Sequence, residues 1–168
     1  PMGPVMFVFD VSDTEGAPLP PDIENPFRVK KGKLDKELSK TLYNCKRDGI
    51  YVYQARMGSQ RAGCIRTSNL NNKLNFQNNF IPRRYELELN SNATEEVNFS
   101  TLVHELGHLY CGHIGTPNKK WWPDRVGIDK DKAEFEAESV CYLFCTRKGI
   151  KTRSEEYLSG YLKYNDYI

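Results

Sequence analysis

What the chain lacks narrows its class first. Its 168 residues contain five cysteines, an odd number with no CxxC pair, which fits neither a secreted disulfide framework nor a zinc ribbon. Cys45, Cys64, Cys111, Cys141 and Cys145 are therefore expected to be reduced, in a cytoplasmic protein. Charge of one sign is also missing: 24 Lys plus Arg against 22 Asp plus Glu leave a formal +2, too little for a domain whose main work is gripping phosphate backbones. The early apolar run at 5–9 is far too short for a signal-peptide core or a membrane span, so no membrane partner is expected. Collagen-like, coiled-coil and disordered compositions are absent as well. What remains, 39% hydrophobic with 12% aromatic, is an ordinary globular chain long enough to build a core.

Residues 5–11 (VMFVFDV) are rich in β-formers and read as a strand or extended segment, whereas Pro18, Pro20, Pro21 and Pro26 exclude regular structure over 12–26. Leu34, Leu38, Leu42 and Cys45 recur at helical spacing and predict an amphipathic helix over 33–47. Asp48-Gly49 then turns the chain into a strand at 50–53, with 62–67 as its expected hairpin partner. The amide-rich stretch 69–79 predicts a loop. Tyr85, Leu87 and Leu89 alternate with Glu86 and Glu88 as in a half-buried strand ending at Asn90-Ser91-Asn92.

Residues 95–111 carry apolar positions at helical spacing, with Gly112 as the stop and a Gly, Pro and Trp-rich loop after it to 127. A second helix is predicted over 131–148, its apolar side formed by Phe135, Ala137, Val140, Cys141, Phe144 and Cys145 and its cap by Gly149. A last short helix at 154–164 takes Ser154 as N-cap. The order of elements predicts an α+β fold, a small mixed or antiparallel sheet packed on helices. The whole of 1–168 reads as one domain: an extended N-terminal segment (1–32), a helix and sheet region (33–92) and the helices of the functional site (93–168). The opening at Pro1 rather than Met leaves room for a longer polypeptide.

His104-Glu105-Leu106-Gly107-His108 is HExxH inside a segment that is helical on independent grounds. Four residues along a helix bring a side chain round by about 400° and up by about 6 Å, so His104 and His108 face one way and can share a cation. A nitrogen-rich tetrahedral set favours Zn2+. Glu105, turned about 100° from His104, is placed to act as general base on a zinc-bound water and then to protonate the leaving amine. All three histidines of the chain fall within ten residues, a clustering that a metal site explains and scatter does not.

A catalytic zinc needs a third protein ligand and an open position. His113 is one candidate, five residues beyond His108. Its spacing departs from HExxHxxGxxH, because Cys111 stands at the glycine position and Ile114 at the final histidine position. The acids of EFEAE are the other. Glu134 and Glu138, four apart, share a helix face, while Glu136 points elsewhere. Glu134 can then bind the ion and Glu138 accept a ring N–H from His104 or His108. Alternatively, all three acids merely solvate a helix start.

FSTLVHELGHLYCGHIG at 99–115, WWPDR at 121–125 and EFEAESVCYLFCTRKGI at 134–150 together resemble the ImmA/IrrE-like zinc metallopeptidases, in particular the peptidase-like domains of ArdC-type antirestriction proteins. The resemblance covers most of 84–162, and the opening PVMFVFDVSDTEG is similar to that group less distinctively. It implies a zincin-like fold of gluzincin type, bacterial or mobile-element encoded. It also implies a metal site of His104, His108 and Glu134, with Glu105 as the catalytic glutamate. Relatives of this type cleave transcriptional repressors and usually carry a helix-turn-helix region, which the sequence does not show.

Weaker signals complete the reading. Tyr142, Tyr157 and Tyr161 are candidates to stabilise an oxyanion, with core packing as the alternative. Trp121-Trp122 either lines a cleft or anchors a loop. Cys141 and Cys145 are helical neighbours that can form a thiol site with Cys111, or pack as small apolar residues. The basic run Arg28, Lys30, Lys31, Lys33, Lys36, Lys40, Lys46, Arg47 is either a DNA-contacting face or a solvated one. Two functions follow: a zinc-dependent endopeptidase acting on a specific protein substrate, or a zinc-stabilised, non-catalytic domain of an antirestriction or mobile-element protein that binds DNA or a protein partner.

Overall fold

The strand with the strictest alternation occupies the middle of the sheet. The computed structural model describes residues 31–58 and 61–164, with Gly16 and Val29, and for 161–164 the backbone only. In chain order the elements are α1 (Glu37–Cys45) with a short 3-10 turn (Lys46–Asp48), β1 (Ile50–Ala55), β2 (Gly63–Thr67), β3 (Lys73–Phe76), β4 (Asn79–Pro82), β5 (Tyr85–Asn90), α2 (Glu95–Tyr110), α3 (Lys130–Arg147) and α4 (Ser154–Tyr164). The fold is mixed α+β, with a three-stranded sheet in the order β1-β5-β2 and a separate β3-β4 pair.

Tyr85, Leu87 and Leu89 of β5 are almost wholly buried. A strand that buries one face so completely is best satisfied with a partner on each edge. β1 pairs with β5 in parallel, Ile50 opposite Tyr85, and β2 pairs antiparallel, Ile65 opposite Leu87. The expected β1–β2 hairpin is therefore corrected: β5 inserts between the two, and the connection at 56–62 is longer than a tight hairpin turn uses.

The loop expected over 69–79 is corrected too, since β3 and β4 form a hairpin there with Asn75 opposite Phe80. Its turn residues Gln77 and Asn78 have φ of 50° and 63°, the left-handed pair that a two-residue primed turn demands and that Asn tolerates better than most residues. Amide-rich composition was turn chemistry in this case. Helix α1 begins later than the spacing implies, because the Glu37 carboxylate accepts from the backbone N–H groups of Asp35 and Lys36 at 3.0 and 3.1 Å and holds a bend there. Leu34 is buried ahead of the helix. The basic side chains Lys31, Lys33, Lys36, Lys40, Lys46 and Arg47 are all exposed. The expectations for 5–11 and for 12–26 lie outside the described residues, apart from Gly16.

Helix α2 is buried on two sides, which is why its sequence is less one-sided than a surface helix. Leu102 and Leu109 join Ile50, Leu87 and Leu89 against the sheet, while Phe99 and Val103 join Cys141, Cys145 and Ile150 against α3. Thr94 caps it, its hydroxyl accepting from the Val97 N–H at 3.4 Å. On α3 the buried strip is Ala133, Ala137, Cys141 and Cys145, every fourth residue and all small. Small side chains let the two helices approach closely, so Phe144, expected on the apolar side, is instead half exposed at 49%. Asp129 caps α3, and Gly149 (φ 72°) follows its end.

Ser154 is the first residue of α4 rather than its cap. Thr152 takes the capping part, its hydroxyl accepting from the Ser154 N–H at 3.3 Å, and the buried Ser154 hydroxyl meets Thr152 Oγ1 at 2.6 Å. Among the described residues no helix is long and apolar enough to cross a membrane.

Candidate metal centre

Two helices bring three donor atoms to one point. His104 and His108, one turn apart on α2, set their Nε2 atoms 3.2 Å from each other. Glu134, near the start of α3, puts Oε2 3.5 Å from His104 Nε2 and 3.6 Å from His108 Nε2. A tetrahedral ion with bonds of about 2.0–2.1 Å to nitrogen and oxygen holds its donors about 3.3–3.4 Å apart. The three separations bracket that edge length, and the fourth corner belongs to no residue of the triad. By the chemistry of its donors the group can hold a metal ion.

Each imidazole is held from behind. His104 Nδ1 lies 2.9 Å from Glu138 Oε2, so the carboxylate accepts the ring N–H and aims Nε2 at the triad. His108 Nδ1 lies 3.0 Å from His113 Nδ1, and His113 Nε2 lies 3.0 Å from Glu136 Oε2. Arg125 closes that line with a fork onto Glu136, 2.6 Å from NH1 to Oε2 and 2.8 Å from NH2 to Oε1. His113 therefore stands behind His108 and outside the triad of converging donors. Glu136 does point away from the triad, toward the loop.

Charges are distributed unequally. Burial works against a charged His104, but the carboxylates of Glu134 and Glu138 outweigh it and hold the His104 proton up to about 10. The same hydrogen bonds, from His104 first and His108 second, keep Glu134 far below the usual carboxylate range. These two shifts describe one shared proton, which an incoming cation must displace. The Arg125 fork lowers Glu136 to about 2. For Glu138 burial pushes upward, yet the bonds from His104 and Ser154 leave it lowered. Glu105 goes the other way: desolvation raises it despite His104 and His108 nearby. Neighbouring carboxylates are thus split between holding a charge and accepting a proton.

The weaker candidates fall into place around this centre. Trp122 anchors the 112–127 loop, donating from Nε1 to Gly115 O at 3.0 Å and packing its ring against Tyr85 and Tyr110, whereas Trp121 is exposed under Arg84. Cys141 and Cys145 are buried with their sulfurs 3.9 Å apart. Cys111 does not join them; its sulfur lies with the donors of His113 and Glu136, a second group able to converge on an ion. There Arg125 already fills the Glu136 carboxylate. Tyr157 is exposed on α4, and among the described residues no hydrogen bond ties it or Tyr142 to the triad.

No family model, curated protein or solved structure matches the chain.

The line through His113, Glu136 and Arg125 is what sequence reasoning missed. Its one legible signal was the crowding of all three histidines. The turn that makes it is at Gly112, whose φ of 86° folds the chain back so that Arg125 N–H reaches Gly112 O at 2.9 Å. A Cβ at Gly112 would fall 2.1 Å from Pro123 O, so the position excludes any side chain.

Gly107 has a different duty. A Cβ there would meet the Ala137 backbone at 3.1 Å, at the contact between the helices that carry the triad. Gly107→Ala gains about 1 kcal/mol of helix propensity and costs about 1–3 kcal/mol of overpacking. Urea unfolding is thus expected to show a small net loss, while separation of α2 from α3 weakens metal affinity by about tenfold, a change of about 1.4 kcal/mol. Affinity equal to wild type would show that the helices tolerate the methyl without moving the donors.

Proposed function

We propose that the chain is a zinc-dependent metallopeptidase of zincin-like, gluzincin-type architecture, as its resemblance to ImmA/IrrE-like and ArdC-type peptidase domains implies. In this reading His104, His108 and Glu134 hold Zn2+, Glu105 is the general base and acid, and the substrate is a peptide segment of a specific protein. The observation that carries it is the set of three donor separations, 3.2, 3.5 and 3.6 Å, beside an HExxH glutamate whose proton affinity is raised.

When bound, zinc supplies a Lewis acid that makes water acidic near neutrality. The protein's part is proton management. The Glu105 carboxylate takes a proton from the attacking water as its oxygen bonds to the scissile carbonyl carbon. The C–N bond then breaks, and the same proton passes from Glu105 to the leaving amine. A carboxylate raised by burial is a stronger base for the first transfer than a solvated one.

The sheet supports a peptide substrate. The hydrogen bonds from Asn90 N to Ala62 O and from Ser68 N to Arg84 O set the phase of the β2–β5 ladder. Gly63, Ile65 and Thr67 therefore turn their backbone groups away from β5, toward the edge that pairs with no other strand among the described residues. The Ile65 N–H lies against the Glu105 carboxyl. An extended peptide can add to this edge as a further strand, which brings its carbonyls past Glu105.

The test is metal content followed by turnover. One zinc per chain is expected by elemental analysis. Binding must displace the His104 proton, held to about 10 in the metal-free protein. Affinity is therefore expected to strengthen by about tenfold per pH unit from 6 to 8, with about one proton released per ion. Zinc-loaded protein is expected to create new amino termini in a mixed peptide library read by mass spectrometry. Zinc bound in full with no cleavage, alongside salt-sensitive DNA binding that survives Glu105→Gln, would replace this reading with that of a zinc-stabilised binding domain.

A further inference from the structure

His113 is the most enclosed side chain at the centre, 4% exposed, and both of its ring nitrogens are engaged. On one side Nδ1 meets His108 Nδ1 at 3.0 Å; on the other Nε2 meets Glu136 Oε2 at 3.0 Å. The far end of this line has a fixed polarity. Glu136 is gripped through both oxygens by Arg125 at 2.6 and 2.8 Å, and an ionised carboxylate only accepts.

The polarity propagates inward. Since Glu136 accepts, His113 donates to it from Nε2, and an imidazole that carries its one proton there has a lone pair on Nδ1. That lone pair can only receive, so His108 carries its proton on Nδ1 and turns a free Nε2 lone pair toward His104 and Glu134. The reverse arrangement would aim the His113 Nε2 lone pair at an anion. Two hydrogen bonds and one ion pair thus select the tautomer of a ring that sits 3.2 Å from its partner in the triad. Glu138 performs the same service for His104 directly, at 2.9 Å. For His108 the charge stands one imidazole further away, on the loop side of the molecule.

We propose that His113 is a positioning residue, which fixes the orientation and tautomer of His108 as a metal ligand under the direction of the Glu136–Arg125 pair. The inference rests on the zinc reading of the triad and extends it to three residues that do not touch the ion. It gives the 112–127 loop, which carries Arg125, a part in holding the metal. Glu136 and Arg125 make an ion pair, unlike the merely solvated acid of the alternative reading of EFEAE.

The experiment is zinc affinity by competition with a chromophoric chelator, together with the visible spectrum of the cobalt-substituted protein, on wild type, His113→Ala, His113→Gln and Glu136→Gln. Groups behind a metal-bound histidine are worth about 10–100-fold in affinity, and His113→Ala is expected to lose that much and to alter the cobalt bands. A Gln side chain can accept from His108 through its carbonyl oxygen and donate to Glu136 through its amide, so His113→Gln is expected to recover to within about threefold of wild type. Glu136→Gln removes the anion that sets the polarity and is expected to fall between the two.

Wild-type affinity in His113→Ala, or equal losses in His113→Ala and His113→Gln, would overturn the inference: the first denies any role and the second reduces it to packing. Either result leaves the triad itself standing. A wild-type protein that takes up no zinc would overturn the metal-centre reading and this inference with it.

Discussion

Glu105→Gln is expected to lower kcat/KM for peptide hydrolysis by about 10²–10⁴ while leaving zinc content and fold unchanged. The substitution keeps the shape of the side chain and removes only its ability to take and return a proton. Glu105 stands outside the donor set: the atoms that converge belong to His104, His108 and Glu134. Desolvation raises the Glu105 carboxyl, which fits proton transfer better than ion binding. The measurement is single-turnover cleavage of a peptide identified by the library screen, with metal content determined on the same preparation. Activity within a few fold of wild type would remove Glu105 from the chemistry. Loss of zinc alongside activity would make it a ligand.

Glu134→Ala is expected to weaken zinc binding by about 10²–10³, the share of one ligand when the roughly 10–16 kcal/mol of a structural zinc site is divided among its four. A second effect has the opposite sign. In the metal-free protein Glu134 shares a proton with His104, and its removal takes away the hydrogen bond that does most to raise the His104 proton affinity. The His104 proton should then leave at lower pH, and the rise of zinc affinity with pH should flatten sooner than in wild type. Calorimetric titration in buffers of different ionisation enthalpy measures both. Full affinity in Glu134→Ala would move the third ligand elsewhere, with Glu138 the nearest carboxylate to the pair, 2.9 Å from His104 Nδ1.

The helix faces that carry the candidate donors were legible because each depends on one helical repeat. His104 and His108, and separately Glu134 and Glu138, are each four residues apart, and four residues fix a shared face wherever a helix forms. Glu138 behind His104 follows from the same spacing. Strand β5 was legible for the corresponding reason in period two, and the glycines after α2 and α3 for their left-handed backbone.

The errors share a cause. The β1–β2 pairing and the exposure of Phe144 both depend on which element lies beside which, and neighbours in sequence need not be neighbours in space. The β3–β4 hairpin differs, in that its two left-handed turn residues were visible as Gln77-Asn78 but outweighed by composition.

By itself, then, the sequence determined the helix that carries HExxH, the helix that carries Glu134 and Glu138, and the chemistry these side chains offer. Only the tertiary structure decided that α2 and α3 meet at Gly107 and Ala137, close enough for three donors to sit 3.2–3.6 Å apart. It alone placed the β2 edge against Glu105 and brought Arg125 and Glu136 behind His113. A helix dictates its own faces through a backbone repeat of a few residues, whereas contact between helices, strands and loops is settled by how the whole chain buries its apolar surface, which no local repeat encodes.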